Sequence, residues 1–296
     1  MEPDDKGKAA GMSAAQGAEP LVSLITATLN AARDLPPTIA SIARQRGVSF
    51  EWIVVDGGSA DGTLELLRRH ANLVRHWRSE PDAGIYDAWN KGCALARGQW
   101  LLFLGAGDEL EGPSALAAFA EALGRAHPEH DLVYGRLRYI SAAARAELDE
   151  VGEPWDKLAK RWELGRPALP PNQALFYHRS LFGPGRGFDA RYRIAGDAAF
   201  LLRHALGKPP LFVPRTLVRV QMRGASMDLG HAAQMAGEIR RLTRELGLRA
   251  PPGHRLAETL LLAAKVGVSK MPAWLGMPIA DGYRRLRGRP KRWSVR

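Results

Sequence analysis

The run EWIVVDGG, residues 51–58, constrains the fold more than any other stretch of this chain: Trp52 to Val55 are all apolar, and the run stops at Asp56 and a glycine pair. A strand apolar on both faces belongs in a parallel sheet covered by helices on each side, because only there are both faces removed from water. LVSLITATLN, residues 21–30, and QWLLFL, residues 99–104, repeat the pattern, the second running into Gly105-Ala106-Gly107-Asp108. Between these runs, helices are predicted over Leu35–Gln45, after SADG at 59–62, and over Gly84–Ala96, with a weaker strand at Leu73–Trp77. Alternating strand and helix predicts an α/β fold with a mostly parallel sheet flanked by helices. Such sheets bind ligands beyond the carboxyl ends of their strands, where this chain sets Thr28, Asp56, Gly57 and Asp108.

The second half reads less regularly. A helix is expected over Pro113–Ala126, a strand in DLVYGRLRYI, residues 131–140, and a lid or acceptor loop without regular structure over 141–170. NQALFYHRSLF passes from strand to turn, residues 183–197 form a glycine-rich loop, and a helix starts at Asp197. From about Ala232 the tail is largely helical, with apolar positions three to four apart against an Arg/Glu face.

At 296 residues and 46% hydrophobic, the chain can bury a full core. Its single cysteine, Cys93, forms no internal disulfide, which excludes a stapled secreted scaffold and fits a reducing cytoplasm. Residues 1–20 lack an apolar core and read as a disordered leader, and no window reaches the roughly 18 apolar residues of a spanning helix. A net charge of +11 attracts polyanions, and residues 284–296 hold seven basic and no acidic side chains. Preceded by Trp274, Leu275, Met277, Ile279 and Tyr283, that run suits an anionic membrane surface; a packed helix with a solvated basic end has the same composition.

ITATLN, VVDGGSADGT, SEPDAGIYDAWNKG, FLGAGDEL and FDARYRIAGDAAFLLR stand in an order that resembles the family 2 glycosyltransferases of the GT-A fold, especially those that build bacterial surface polysaccharides. The resemblance covers residues 21–223. It implies a Rossmann-like GT-A domain with a nucleotide-sugar half, 21–110, an acceptor half, 111–223, and a helical, basic extension over 224–296. It also implies a nucleotide-sugar donor, UDP-linked, bound by Thr28, Asn30, Asp56, Gly57, Asp82, Gly84, Asp87 and Asn90. Asp87 and Asn90, three apart, share a helical face. Relatives hold a divalent cation, Mn2+ or Mg2+, with an Asp-x-Asp motif; here only Asp108 of that motif remains, and a cation needs few protein ligands when a diphosphate completes its shell. Asp197 matches the catalytic base that must take the acceptor hydroxyl's proton in a single inverting displacement. Strand-end turns and helix caps would place the same carboxylates at several of these positions. Asn172 and Gln173 stand where relatives often carry His-Gln.

Three other readings compete. A dinucleotide-binding oxidoreductase would need a third glycine where Leu110 stands. A basic nucleic-acid-binding protein would show a helix pair, finger or aromatic sheet signature, and none is present. A catalytically weak or inactive sugar-nucleotide-binding protein keeps the fold and accounts for the thinned metal motif. The histidine spacings show no zinc pattern. The expected protein is a cytoplasmic glycosyltransferase resting on the inner membrane face, acting on a glycan or lipid-linked acceptor, with no nucleic-acid partner.

Overall fold

The computed structural model describes residues 19–141, 145–163, 165–222, 232–252, 264, 267–268 and 271–286. The first half alternates as expected: β1 (Val22–Thr28), α1 (Leu35–Ala43), β2 (Phe50–Asp56), α2 (Thr63–Arg69), β3 (His76–Ser79), α3 (Ile85–Leu95) and β4 (Trp100–Phe103). The second half holds β5 (Glu109–Leu110), α4 (Ala117–Ala126), β6 (Leu132–Ser141), β7 (Glu147–Val151), α5 (Trp155–Lys160), β8 (Trp162–Glu163) and β9 (Arg166–Pro167). It continues with β10 (Leu175–His178), α6 (Gly196–Ala205) and β11 (Leu211–Met222). Two helices of the tail follow, α7 (Ala232–Glu245) and α8 (Ala273–Leu286).

Among the described residues nine strands form one sheet in the order β3-β2-β1-β4-β10-β6-β11-β5, with β7 also on β6. β1 pairs in parallel with β2 and β4, β2 with β3, and β6 with β11. β10, β5 and β7 run antiparallel to their neighbours, so the sheet is mostly parallel and mixed. The unbroken apolar runs are explained by two cores. Leu24, Trp52, Trp100, Leu102, Val133 and Phe176 pack on one face with Ile39, Ile42 and Phe119. Their chain neighbours Ile25, Leu101, Phe103, Tyr134, Leu175 and Tyr177 pack on the other with Trp89, Phe200, Ile239 and Leu242. Strand side chains alternate between faces, so each run feeds both cores.

Two readings are corrected. Residues 141–170 are not irregular: β7, α5 and the β8–β9 hairpin lie there. Cross-strand pairing organises them, with Arg138 bridging to Glu147 and Glu150 across β6 and β7. The weak strand falls at His76–Ser79, not Leu73–Trp77, because parallel pairing with Ile53–Asp56 sets its register. The apolar positions of α7, three to four apart, pack into the second core, where Ile239 and Leu242 are among the most buried side chains. Residues 1–18, and the part of the basic run after Leu286, lie outside the described residues.

Candidate active site

The carboxyl ends of β1, β2 and β3 are tied together by Asp56, which is fully buried. Its Oδ1 accepts from the Thr28 hydroxyl at 2.8 Å and the Ser59 hydroxyl at 2.5 Å. Its Oδ2 accepts from Ser79 Oγ at 2.7 Å and from the N–H groups of Gly58 and Ser59 at 3.1 and 2.8 Å. Burial works against the charge, yet the Ser59, Ser79 and Thr28 donors hold its pKa below the ordinary carboxylate value. Asn30, at φ 50°, accepts from the Ala60 N–H at 3.0 Å, while its own N–H donates to Ser59 Oγ at 2.7 Å. Asp61 accepts from the N–H groups of Ala32 and Thr63 and ties the same two loops together.

The loop before α3 lies directly on this group. Asp82 Oδ1 accepts from the Gly84 N–H at 2.9 Å, and Asp82 Oδ2 occupies space that a Cβ on Gly57 would enter at 2.7 Å. Gly57 is therefore glycine because the Asp82 carboxylate packs against it. Thr28, Asn30, Asp56, Gly57, Asp82 and Gly84 thus form one connected wall.

Asp87 and Asn90 behave differently. Asp87 accepts from the Ala83 N–H at 3.1 Å and pairs with Lys91 at 3.1 Å, and the Ala83 bond leads in lowering its pKa. Asn90 donates to the Phe188 carbonyl at 2.8 Å and accepts from the Phe188 N–H at 2.9 Å. Its amide therefore fastens α3 to the glycine-rich loop of the second half, a role invisible in the sequence because the partner lies 98 residues away.

Asp108 sits in the turn after β4, and Thr38 of α1 shapes that turn by donating to the Asp108 carbonyl at 2.8 Å and accepting from the Gly107 N–H at 2.9 Å. The Asp108 carboxylate, on a residue 9% exposed, accepts from the Gly105 N–H at 3.0 Å, and among the described residues no cationic side chain pairs with it. Burial first, and the neighbouring Glu109 charge, push its pKa up to about 7. A buried carboxylate with one N–H donor keeps lone pairs for a cation, and a cation would restore its charge. As a single protein ligand whose coordination shell substrate oxygens and water complete, it fits a hard divalent ion. The adjacent Glu109 is occupied otherwise: its carboxylate takes Arg145 at 2.6 and 2.8 Å and Arg219 at 3.2 Å.

Asp197 lies at the start of α6 in a cleft of about 280 Å3, lined also by Arg166, Asn172, Gln173, Leu169 and Met235. Neither Asp56 nor Asp108 lines that cleft. Asp197 Oδ1 accepts from the Ala198 N–H at 2.8 Å and lies 3.1 Å from the Tyr86 hydroxyl. Burial raises its pKa, against the lowering effect of those two donors and of Arg166. A Cβ on Gly196 would come within 2.7 Å of the Tyr86 ring, so the ring fixes where this helix begins. Burial, and then the Asp197 charge, push the Tyr86 phenol pKa up.

Tyr86 is a functional candidate missed in the sequence, where it reads as one apolar residue on a helix face. A histidine cluster was missed as well. His127, Asp131 and His178 place ligating atoms within 4.8 Å of one another, at the amino end of β6 and away from the loops above. Asp131 already pairs with Lys208 at 3.0 Å, and the two imidazoles stack 3.7 Å apart at 10°, so an ion in the plane of one ring is out of the plane of the other. Arg191 is bound to Asp189. Cys93 is shielded, and burial raises its thiol pKa.

A mostly parallel sheet covered on both faces, with carboxylates at its strand ends and one more in a cleft of the second half, is the GT-A arrangement. The Glycosyl transferase family 2 profile matches residues 23–182, more than half of the chain, ending before Asp197. A PGL/p-HBAD biosynthesis glycosyltransferase of Mycobacterium tuberculosis is 40% identical over 194 residues, covering 63% of this chain and 70% of that protein. Mannosyltransferase PcManGT from Pyrobaculum calidifontis, solved with GDP-Man and Mn2+, superposes with a TM-score of 0.59 at 19% identity, over 92% of this chain and 76% of its own. S. aureus TarS superposes with a TM-score of 0.56 at 17% identity; the match covers 84% of this chain and 43% of that TarS chain. Its 1–349 portion has been solved with UDP and with UDP-GlcNAc. The chain belongs to glycosyl transferase family 2 and is a glycosyltransferase. Among the described residues no helix is long and apolar enough to cross a membrane.

Proposed function

We propose that this chain moves a sugar from a nucleoside-diphosphate donor, UDP-linked, to a hydroxyl of a glycan or lipid-linked saccharide, with inversion at the anomeric carbon. The observation that carries this reading is the start of α3, where two walls meet. Asp82 and Gly84 belong to the loop packed on Gly57, and two residues later Tyr86 holds the segment that bears Asp197.

In this reading residues 21–110 take the donor, residues 111–223 the acceptor, and 224–296 form an extension. The nucleotide lies beside Thr28, Asn30, Asp56 and Gly57, with Asp82, Gly84, Asp87 and Asn90 along the α3 side. Because every Asp56 oxygen is already engaged, a base N–H reaches it by replacing a hydroxyl donor such as Ser59 or Ser79. Asp108 would hold the divalent cation, Mn2+ or Mg2+, which when bound neutralises charge on the leaving diphosphate. Asp197 accepts the acceptor hydroxyl's proton while that oxygen bonds to the anomeric carbon, and the carbon–oxygen bond to the diphosphate breaks with its electron pair leaving on phosphate. Burial raises its pKa, which makes it a stronger base than an ordinary aspartate.

The exposed face of α8 supports an acceptor held at a membrane. Asp281 is buried and Arg284 pairs with Asp149 of β7, while Trp274, Leu275, Ile279, Tyr283 and Leu286 are exposed. An apolar face with Trp, followed by a basic run, suits the inner, anionic face of the cell membrane. Synthesis of a surface polysaccharide from the cytoplasmic side follows from such a location. No nucleic-acid partner enters the reading.

A thermal-shift screen of UDP-GlcNAc and GDP-mannose, each with Mn2+ and with chelator, tests it. A donor at a hundred times its Kd stabilises the folded chain by about 2.7 kcal/mol. Stabilisation by a nucleotide sugar, larger with Mn2+, is the expected result. No shift with any nucleotide sugar, together with a shift from duplex DNA, would remove it.

A further inference from the structure

Glu238 stands on α7, outside the stretch that matches the family, yet its carboxylate reaches the segment that carries Asp197. Oε1 accepts from the Arg193 N–H at 2.9 Å, and Oε2 from the N–H groups of Ile194 and Ala195 at 2.9 and 2.8 Å. Gln234 adds a contact to Oε1 at 3.4 Å. These three successive N–H groups sit immediately ahead of α6, at the end where helix dipoles favour an anion. Burial opposes the Glu238 charge, but the bonds from Ala195, Ile194 and Arg193 hold its pKa below the ordinary value.

Ile194 is consequently held at both polar atoms of its backbone. Its N–H donates to Glu238 of α7 at 2.9 Å, and its carbonyl accepts from Tyr86 of α3 at 2.6 Å. Asp197 lies in the first turn of α6, three residues on, and the Ala195 carbonyl accepts a first-turn helical bond from Ala199 at 2.9 Å. Met235, about one turn before Glu238, and Ile239, the residue after it, line the same cleft as Asp197. The C-terminal extension therefore builds one wall of the cleft and clamps the loop that aims its carboxylate.

We propose that Glu238 is a positioning residue for sugar transfer, fixing the Arg193–Ala195 backbone so that Asp197 stands where the acceptor hydroxyl enters. The proposal rests on Asp197 as base. Glu245 supplies the control: two turns along the same helix it binds the Tyr192 hydroxyl at 2.9 Å and Arg203 at 3.0 Å, docking α7 without touching residues 193–195.

The test compares Glu238→Gln, Glu238→Asp, Glu245→Gln and Asp197→Asn in the full chain. Turnover of UDP-GlcNAc and GDP-mannose is followed by nucleoside-diphosphate release, and backbone exchange by hydrogen–deuterium exchange. Glu238→Gln is expected to lower kcat by about tenfold or more with donor Kd within about twofold, since small misplacement of a catalytic group is costly. Amides of 193–195 should exchange about tenfold faster in that variant. Glu238→Asp, which keeps the charge, should recover part of the rate and reports the effect if the glutamine variant does not fold. Glu245→Gln should keep kcat within about twofold, a change too small to mark loss of a positioned group.

Unchanged exchange at 193–195, wild-type kcat in Glu238→Gln, or an equal loss in Glu245→Gln overturns the proposal. Full transfer by Asp197→Asn would instead remove the base on which the proposal rests. An inactive Asp197→Asn beside a fully active Glu238→Gln removes the Glu238 role alone.

Discussion

The Tyr86 hydroxyl lies 2.6 Å from the Ile194 carbonyl oxygen and 3.1 Å from Asp197 Oδ1, so one phenolic proton faces two acceptors and serves one at a time. Its donation to Asp197 lowers that carboxyl's pKa. Tyr86→Phe should therefore move the acid limb of the pH–rate profile to higher pH. The loss of one buried hydrogen bond should cost about 1 kcal/mol of stability. Rate profiles of the two proteins, with chemical denaturation alongside, check both effects; an unmoved limb would separate Tyr86 from the base.

Asp108 gives the metal-free chain a pH dependence of defined sign. Its carboxyl stays protonated up to about pH 7 when folded, against an ordinary value of 3.8. The folded state then binds more protons than the unfolded state between those values, so this contribution is full below 3.8 and is lost as pH rises through 7. Asp108→Asn should flatten the slope and be more stable than wild type at pH 8, by on the order of 2–4 kcal/mol. Mn2+ should stabilise wild type at that pH and leave the variant unchanged. Urea denaturation with chelator and with Mn2+ measures both; identical curves for the two proteins would exclude Asp108 as the ligand.

Gly57→Ala would bring a Cβ to 2.7 Å from Asp82 Oδ2, closer than real Cβ contacts allow. Asp82 must swing away from Gly84, opening the wall assigned to the donor. Donor KM should rise about tenfold, equivalent to about 1.4 kcal/mol, with kcat at saturating donor little changed. Steady-state kinetics over a donor series decides, and an unaltered KM would place the Gly57–Asp82 contact outside the donor site.

The contrast between Asp56 and Glu238 shows which parts of the site the sequence makes legible. Asp56 ends an apolar run, and in a parallel sheet that position alone sends it to the ligand edge. Asp197 lies in the first turn of a helix after a glycine-rich loop, and its assignment comes from the family resemblance rather than from a strand end. Glu238 sits among Arg and Glu side chains with ordinary helical spacing, and its partners lie 43 to 45 residues away, so only tertiary packing exposes its role. Asn90 illustrates the same limit, because spacing gave its helical face but not its partner, the Phe188 backbone. β7 and the β8–β9 hairpin were illegible because short, charged strands carry little apolar pattern. β11 had a usable signal in Leu217, Val218 and Val220, which Pro214 and four interspersed polar residues weaken.

α8 leaves Trp274 77% and Leu286 87% exposed ahead of the basic run. Replacing both with alanine should weaken binding to anionic vesicles by tenfold or more, since each large apolar side chain contributes about 1.5–3 kcal/mol when buried. Deleting residues 271–296 should lower vesicle binding further and leave soluble-donor affinity nearly intact. Vesicle co-sedimentation at low and high salt measures this, and undiminished binding by the truncated chain would contradict a membrane-facing α8.

Single-turnover transfer by Asp197→Asn, with donor binding measured on the same preparation, bears most directly on the assignment of Asp197 as base. Asparagine keeps the shape of the side chain and removes its ability to take a proton. Donor Kd is expected to stay within about twofold while transfer falls by roughly a thousandfold. Transfer at the wild-type rate would mean that another group accepts the proton and that the cleft around Asp197 is not where the chemistry occurs.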